Sequence, residues 1–458
     1  MGSRVTDSAI YGHLWGTSEL REVFEETQRI QTWLHILTAL AEAQAELSLI
    51  PREAAEAIAW NARVDRLDLA FVADETRRTG HSTLGLIRGL QRVLPEEARE
   101  WVYYGATVQD LTDTWTTLAM REVGRIAWRD LREVEGLCLD LARRHRDTLM
   151  LGRTHGQPGA PISFGLKAAS WADEVRRHLE RLRGGAPRWL VGQLAGAVGN
   201  LAFFGERGPE LRRAFCAKLG LADPLVSWTT SRDRLAEFVG LLAMVSATLA
   251  RIGTEVYQLQ RPEIGELREP TSPQGVGSIT MPHKRNPEAS EHLGTLSMLV
   301  RSQAAVILEG MVQQHERDGR GWKAEWVAFP EACLLTGAGL SLAKWMLSGL
   351  EVDERAMLRN IMATGGHAAS EHVLAALAPR LGKHRAQARL QELLAVARER
   401  GESLREAVLS EDDLRKLLGP DLVGSLDRPE GAGTSGTMVD AVLARAEAAR
   451  AAEGETWP

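Results

Sequence analysis

Four stretches of helix-type periodicity dominate this chain and constrain its fold more than any other feature. In Arg232–Gln260 and Glu288–Gln314, apolar residues recur three and four apart over 29 and 27 residues. Asp113–Arg146 and Pro161–Leu182 repeat the pattern, the latter closed by Gly184 and Gly185. A pattern of period 3.6 with charges between its apolar positions predicts amphipathic helix. Helices much longer than the usual 11 to 12 or so residues must pack side by side to bury their stripes, which predicts an elongated bundle. Glu19–Leu49 adds a further helical pattern. Strand-type alternation is short and aromatic residues make up only 5%, so the expected class is all-α.

The 458 residues exceed what one core holds and predict two or three domains. Polar breaks at Trp101–Thr107 and Gly349–Asp353 place them at 1–106, 107–352 and 353–458. The last residues, Ala449–Pro458, are expected to fray. A net charge of −6 with well-mixed signs favours neither nucleic acid nor an anionic membrane as partner. No apolar run approaches the roughly 20 residues a bilayer span needs. Cys138, Cys216 and Cys333 have neither disulfide nor metal spacing, and no leader-type pattern opens the chain. These features predict a cytoplasmic protein without a metal site.

Three polar islands interrupt the helices, each read as a helix boundary where free backbone N–H groups can hold an anion. The first is YYGATVQDLTDT, Tyr103–Thr114, with Thr107 and Gln109 as donors; a plain N-cap would explain Thr107 or Asp110 equally well. The second is LGRTHGQPGAPISFGLK, Leu151–Lys167, where Thr154 and His155 crowd between glycines. A lone histidine is more often structural than catalytic, but its neighbours here are donors. The third is GSITMPHKRNP, Gly277–Pro287. A surface loop accounts for its glycines but not for the order of Ser278, Met-Pro, Lys284 and Asn286.

GSITMPHKRNP resembles the signature loop of the fumarase/aspartase superfamily, and the other islands match that superfamily's two remaining regions in order, over roughly Leu14–Val442. The resemblance implies an all-α homotetramer with a central long-helix bundle that forms a twenty-helix core, active sites shared by three subunits, and no organic cofactor. It implies β-elimination: a proton leaves the carbon beside a carboxylate and a group leaves the next carbon. By motif position Ser278 is the implied base and His155 the general acid toward the leaving group. Thr107, Gln109, Thr154, Lys284, Asn286 and Arg232 are the implied contacts of a small dicarboxylate, and His81 in TRRTGHSTLG matches a histidine beside the site in adenylosuccinate lyases. The chain departs from the pattern in Ile279 and Val108, which replace serines.

Within the superfamily, the helical stretch GLKAASWADEVRRHLERL, Gly165–Leu182, resembles the branch of adenylosuccinate lyase and 3-carboxy-cis,cis-muconate cycloisomerase. After HERD, Trp322, Lys323 and Trp326 stand where the former carries its phosphate-binding serines and arginine. An uncharged indole cannot replace bidentate Arg–phosphate bonds. His155 meanwhile points toward lyases. The resulting expectation is a lyase releasing fumarate from a small substituted succinate, with nitrosuccinate as the specific candidate and the two named enzymes as alternatives. A non-catalytic homologue is disfavoured because Ser278, Lys284, Asn286 and His155 are all present.

Overall fold

The computed structural model describes residues 4–272, 275–427, 431–454 and 457; Pro273 and Gln274, at the entrance of the signature loop, lie outside them. Five long helices form its axis: α1 (Val108–Arg144), α2 (Phe164–Trp189), α3 (Asp233–Gln260), α4 (Glu288–Glu309) and α5 (Gly319–Ser348). The fold is all-α, with four short strands among the described residues. Side-chain pairs fix the helix directions. Lys167 meets Glu255, His178 meets Thr248 and Trp189 meets Glu237, so α2 runs antiparallel to α3. Gly253 packs on Ser290 and Leu293, which sets α4 antiparallel to α3 as well. Arg232 joins Asp113 and Glu325, so α1, α3 and α5 begin together. The bundle therefore has a first end, where these three helices start, and a far end, where they finish.

One continuous apolar core runs from Leu20 through the five helices to Ala446. A second cluster, from Val373 to Leu426, lies among the C-terminal helices. Two helices, α3 and α5, are long and apolar enough to cross a membrane, against the expectation from the sequence; most of each apolar window is buried inside the protein, as a core helix requires.

Several sequence expectations are corrected by packing. The Glu19–Leu49 pattern is two helices, Ser18–Phe24 and Glu26–Glu46, because Glu25 is extended and its carboxylate caps the second by accepting the Thr27 and Gln28 N–H groups at 2.8 and 3.1 Å. Gly184 and Gly185 do not close α2. A methyl group at Gly185 would collide with the Trp189 ring, so the glycine serves packing, and the Trp189 indole donates to Glu237 at 3.0 Å and anchors the last turn. The second polar island is mostly a β-hairpin and reaches a helix boundary only at its end, where Ser163 caps α2: β1 (Leu149–Thr154) pairs antiparallel with β2 (Gln157–Ser163). His155 and Gly156 form its two-residue tip with φ of 54° and 74°, the left-handed geometry that suits the twist of a tight hairpin.

The C-terminal helix Ser435–Glu453 is docked over part of the tail expected to fray, of which Glu455, Thr456 and Pro458 lie outside the described residues. Arg176, buried in α2, holds Glu135 at 2.6 and 2.7 Å and Glu453 at 2.6 Å, and Arg450 returns to Glu135 at 2.7 Å. The Trp457 ring lies 6.1 Å from that of Trp128. A chain ending at Ala448 should lose about 3 kcal/mol of stability, the scale of opening a buried ion network from one side, read as a lower urea midpoint. An unchanged midpoint would show that the tail contributes nothing.

Candidate active site

At the first end, the start of α1 is built by its own sequence. The Asp110 carboxylate accepts the Thr107 N–H at 2.9 Å, which closes the first turn. It also accepts the Ala195 and Gly196 N–H groups at 2.7 and 3.2 Å. Burial pushes its pKa up to about 7, against the pull of those donors. Gln109 is fully buried and donates to the Thr229 carbonyl at 2.6 Å. Arg317, in the segment before α5, completes the corner: its Nε donates to Gln109 Oε1 at 3.0 Å and an Nη to Thr107 Oγ1 at 3.1 Å. Arg317 is absent from the dicarboxylate contacts implied by the signature motifs, although the sequence offers it, or Arg320, as a cation to hold the departing group. Its signal was HERD, but nothing local says that HERD folds onto a helix start 210 residues earlier.

The His81 loop reaches the same corner. The Tyr103 phenol, pushed up by burial and by the Asp110 charge, lies against Thr83. His81 Nδ1 accepts the Leu84 N–H at 3.2 Å, so the ring proton sits on Nε2, the nitrogen left to face outward.

Arg232 lies beneath the corner, not on its surface. It is 1% exposed. Its Nη atoms hold both oxygens of Asp113 at 2.7 and 3.0 Å, and its Nε and other Nη N–H hold Glu325 at 2.9 and 2.5 Å. The remaining N–H points at the Thr229 carbonyl, 3.5 Å away. All five guanidinium N–H groups are engaged, so Arg232 positions the corner from below.

The far end carries the other islands. The hairpin tip with Thr154 and His155 is exposed, braced at its base by Arg153, which holds Glu266 at 2.7 and 2.9 Å. The signature loop lies between α3 and α4. Ser278 Oγ accepts the Met281 N–H at 3.0 Å, and its own proton has no acceptor among the described residues. Gly277 is obligatory for close approach rather than mobility alone: a Cβ there would strike the Lys284 carbonyl. Lys284 and Asn286 line a cleft of about 860 Å³ together with Arg268, Arg285 and Arg359. The lysine and the three arginines make no ion pair among the described residues. Glu269, at the cleft floor, is committed to the start of α4 through the Ala289 and Ser290 N–H groups at 3.1 and 2.7 Å. No metal-binding group of His, Cys, Asp and Glu occurs among the described residues.

The structure thus groups Thr107, Gln109, Arg317 and the His81 loop at one end, and Ser278, Lys284, Asn286, Thr154 and His155 at the other. Gln109 bonds Thr229 just before α3, and Arg153 bonds Glu266 just after it. The 28 residues of α3 separate them by about 40 Å at 1.5 Å per residue.

Comparison with known proteins agrees with this architecture. A lyase family model matches residues 15–301. An N-acetyl-S-(2-succino)cysteine lyase of Dickeya dadantii is 39% identical over 448 residues, 98% of each chain. An adenylosuccinate lyase of Methanocaldococcus jannaschii is 36% identical over 94% of each. The crystal structure of a fumarate lyase from Mesorhizobium sp. BNC1 superposes with a TM-score of 0.87 at 33% identity, covering 94% of this chain and 98% of that one. The chain belongs to this lyase family, within the fumarase/aspartase superfamily, and is a lyase.

Proposed function

We propose that the protein releases fumarate by β-elimination from a succinate substituted through sulfur, with an acylated cysteine thiol as leaving group. The observation that carries the elimination chemistry is the signature loop: Ser278 Oγ accepts a backbone N–H, as an alkoxide would need, in a loop whose Lys284 lines a cleft with three arginines that, like it, make no ion pair among the described residues. Ser278 takes the proton from the carbon next to one carboxylate. The electron pair moves into that carboxylate, whose growing charge Lys284 and Asn286 meet. The pair then returns to form the double bond as the C–S bond breaks and sulfur leaves with the bonding electrons. His155 supplies the proton that makes it a thiol. A thiolate, with an ordinary pKa of about 8.5, departs with less acid assistance than an amine.

The thiol class is supported by the 39% identity to the Dickeya enzyme across both chains. This moves the specific reading from nitrite to sulfur. The position of Trp322, 7% exposed and packed edge-on against Trp326 at 5.0 Å, supports a substrate without a nucleotide phosphate. Because the two groups of residues lie about 40 Å apart in one chain, the working site joins the first end of one copy to the far end of others, as a homotetramer with sites shared by three subunits would.

The test is fumarate absorbance with S-(2-succino)-N-acetylcysteine, nitrosuccinate and adenylosuccinate under the same conditions. The thioether should give the highest kcat/KM. Turnover of adenylosuccinate at about 10⁴ M⁻¹s⁻¹ or more, with none of the thioether, would overturn the reading.

A further inference from the structure

A second cleft, of about 340 Å³, opens beside the first end between helix Glu26–Glu46, the N-terminal segment and α5. Arg4, Arg21 and Arg29 line it, with Trp326 on the α5 wall. Two of the arginines are committed. Arg4 pairs with Glu331 at 2.6 Å and Asp7 at 3.0 Å. Arg21 donates to the Thr6 and Gly12 carbonyls, both at 2.7 Å. Arg29 differs. Its guanidinium lies 4.5 Å over the Trp115 ring, and its Nε is buried with no hydrogen-bond partner. It makes no side-chain hydrogen bond or ion pair among the described residues. The carboxylates of the cleft are all in use: Asp7 and Glu331 by Arg4, and Glu25 by the helix start it caps.

A half-buried cation over a ring, with an orphaned donor, has lost hydration and gained only the nearby Glu26 charge, with no ion pair among the described residues. Burial accordingly lowers its pKa. An anion entering the cleft would meet a preorganised fork. The cleft is also close to the Thr107 corner: Trp115 lies eight residues into the chain from Thr107, about 12 Å of helical rise, and Trp326 follows Glu325, the partner of Arg232. In a succinyl thioether of cysteine, six bonds separate the far succinate carboxylate from the cysteine carboxylate, about 8 Å when extended. With a hydrogen bond of about 3 Å at each end, such a molecule reaches on the order of the helical rise between Thr107 and Trp115.

We propose that Arg29 binds a carboxylate on the leaving group, so that the enzyme selects succinyl thioethers whose thiol fragment carries its own acid. This rests on the elimination reading above, and its test is arranged to fail separately. Titration calorimetry compares N-acetylcysteine with its amide on the wild-type protein and on Arg29→Met and Arg29→Lys, each checked for fold by circular dichroism. Wild type should bind the acid at least tenfold more tightly than the amide. The ratio should fall to near one in Arg29→Met and be partly kept in Arg29→Lys. The kcat/KM values for the corresponding succinyl thioethers should show the same ordering. Equal binding of acid and amide by wild type, or a ratio that survives Arg29→Met, would overturn the proposal. Absence of fumarate from every thioether would instead overturn the elimination reading, while the binding ratio would still decide the role of Arg29.

Discussion

Replacing Ser278 with alanine should lower kcat at least a thousandfold, about 4 kcal/mol of barrier, with fold and assembly intact. The side chain is small, sits in an exposed loop and makes one hydrogen bond among the described residues, to the Met281 N–H, so little stability depends on it. Its Oγ is the hydroxyl that the loop presents with a donor already aimed at it and with Lys284 on the neighbouring cleft wall. Thr280, the nearest alternative, is exposed. Retention of more than about a tenth of wild-type kcat, a loss under about 1.4 kcal/mol, would remove Ser278 as the base.

Arg232→Met should be the most damaging single change to stability, costing about 3–5 kcal/mol, because it strands two buried carboxylates. Asp113 is 1% and Glu325 5% exposed, and the cation between them is the partner both share. Burial already pushes the Glu325 pKa up, and the guanidinium opposes that shift while the Asp113 charge adds to it. Without Arg232 the Glu325 carboxyl is left further above its unfolded pKa. The folded state then binds a proton the unfolded state has released, so the variant should regain stability as pH falls from neutral toward about 4. Thermal midpoints measured across that range check the sign. A midpoint equal to wild type at neutral pH, or one that falls further on acidification, would contradict the account.

What the sequence made legible was whatever repeats locally. The 3.6-residue period located α3 to within one residue at its start, since its stripe faces a single core. Order and spacing of the polar islands pointed to the same superfamily as the comparisons. What escaped was settled by distant partners. Arg232 looked like a substrate cation because Asp113 and Glu325 lie 119 and 93 residues away. Gly184 and Gly185 looked like a helix stop because Trp189 packing is invisible in a one-dimensional pattern. The hairpin around His155 hid behind two prolines, Pro158 and Pro161, which pair with Arg153 and Leu151 in the ladder. The tail looked unanchored because Arg176, its anchor, lies 277 residues before Glu453.

Residues about 40 Å apart in one chain are expected to meet only between copies. Two inactive variants test it: Ser278→Ala, altered at the far end, and Arg317→Met, altered at the first end. Unfolded together in equal amounts and reassembled, they should regain activity, since in a random mixture about a quarter of sites receive Ser278 from one chain and Arg317 from another. Recovery of roughly that fraction, with each variant alone remaining inactive after the same treatment, is the predicted result. No recovery in assemblies shown by mass spectrometry to contain both chains would mean that each site is built within a single chain.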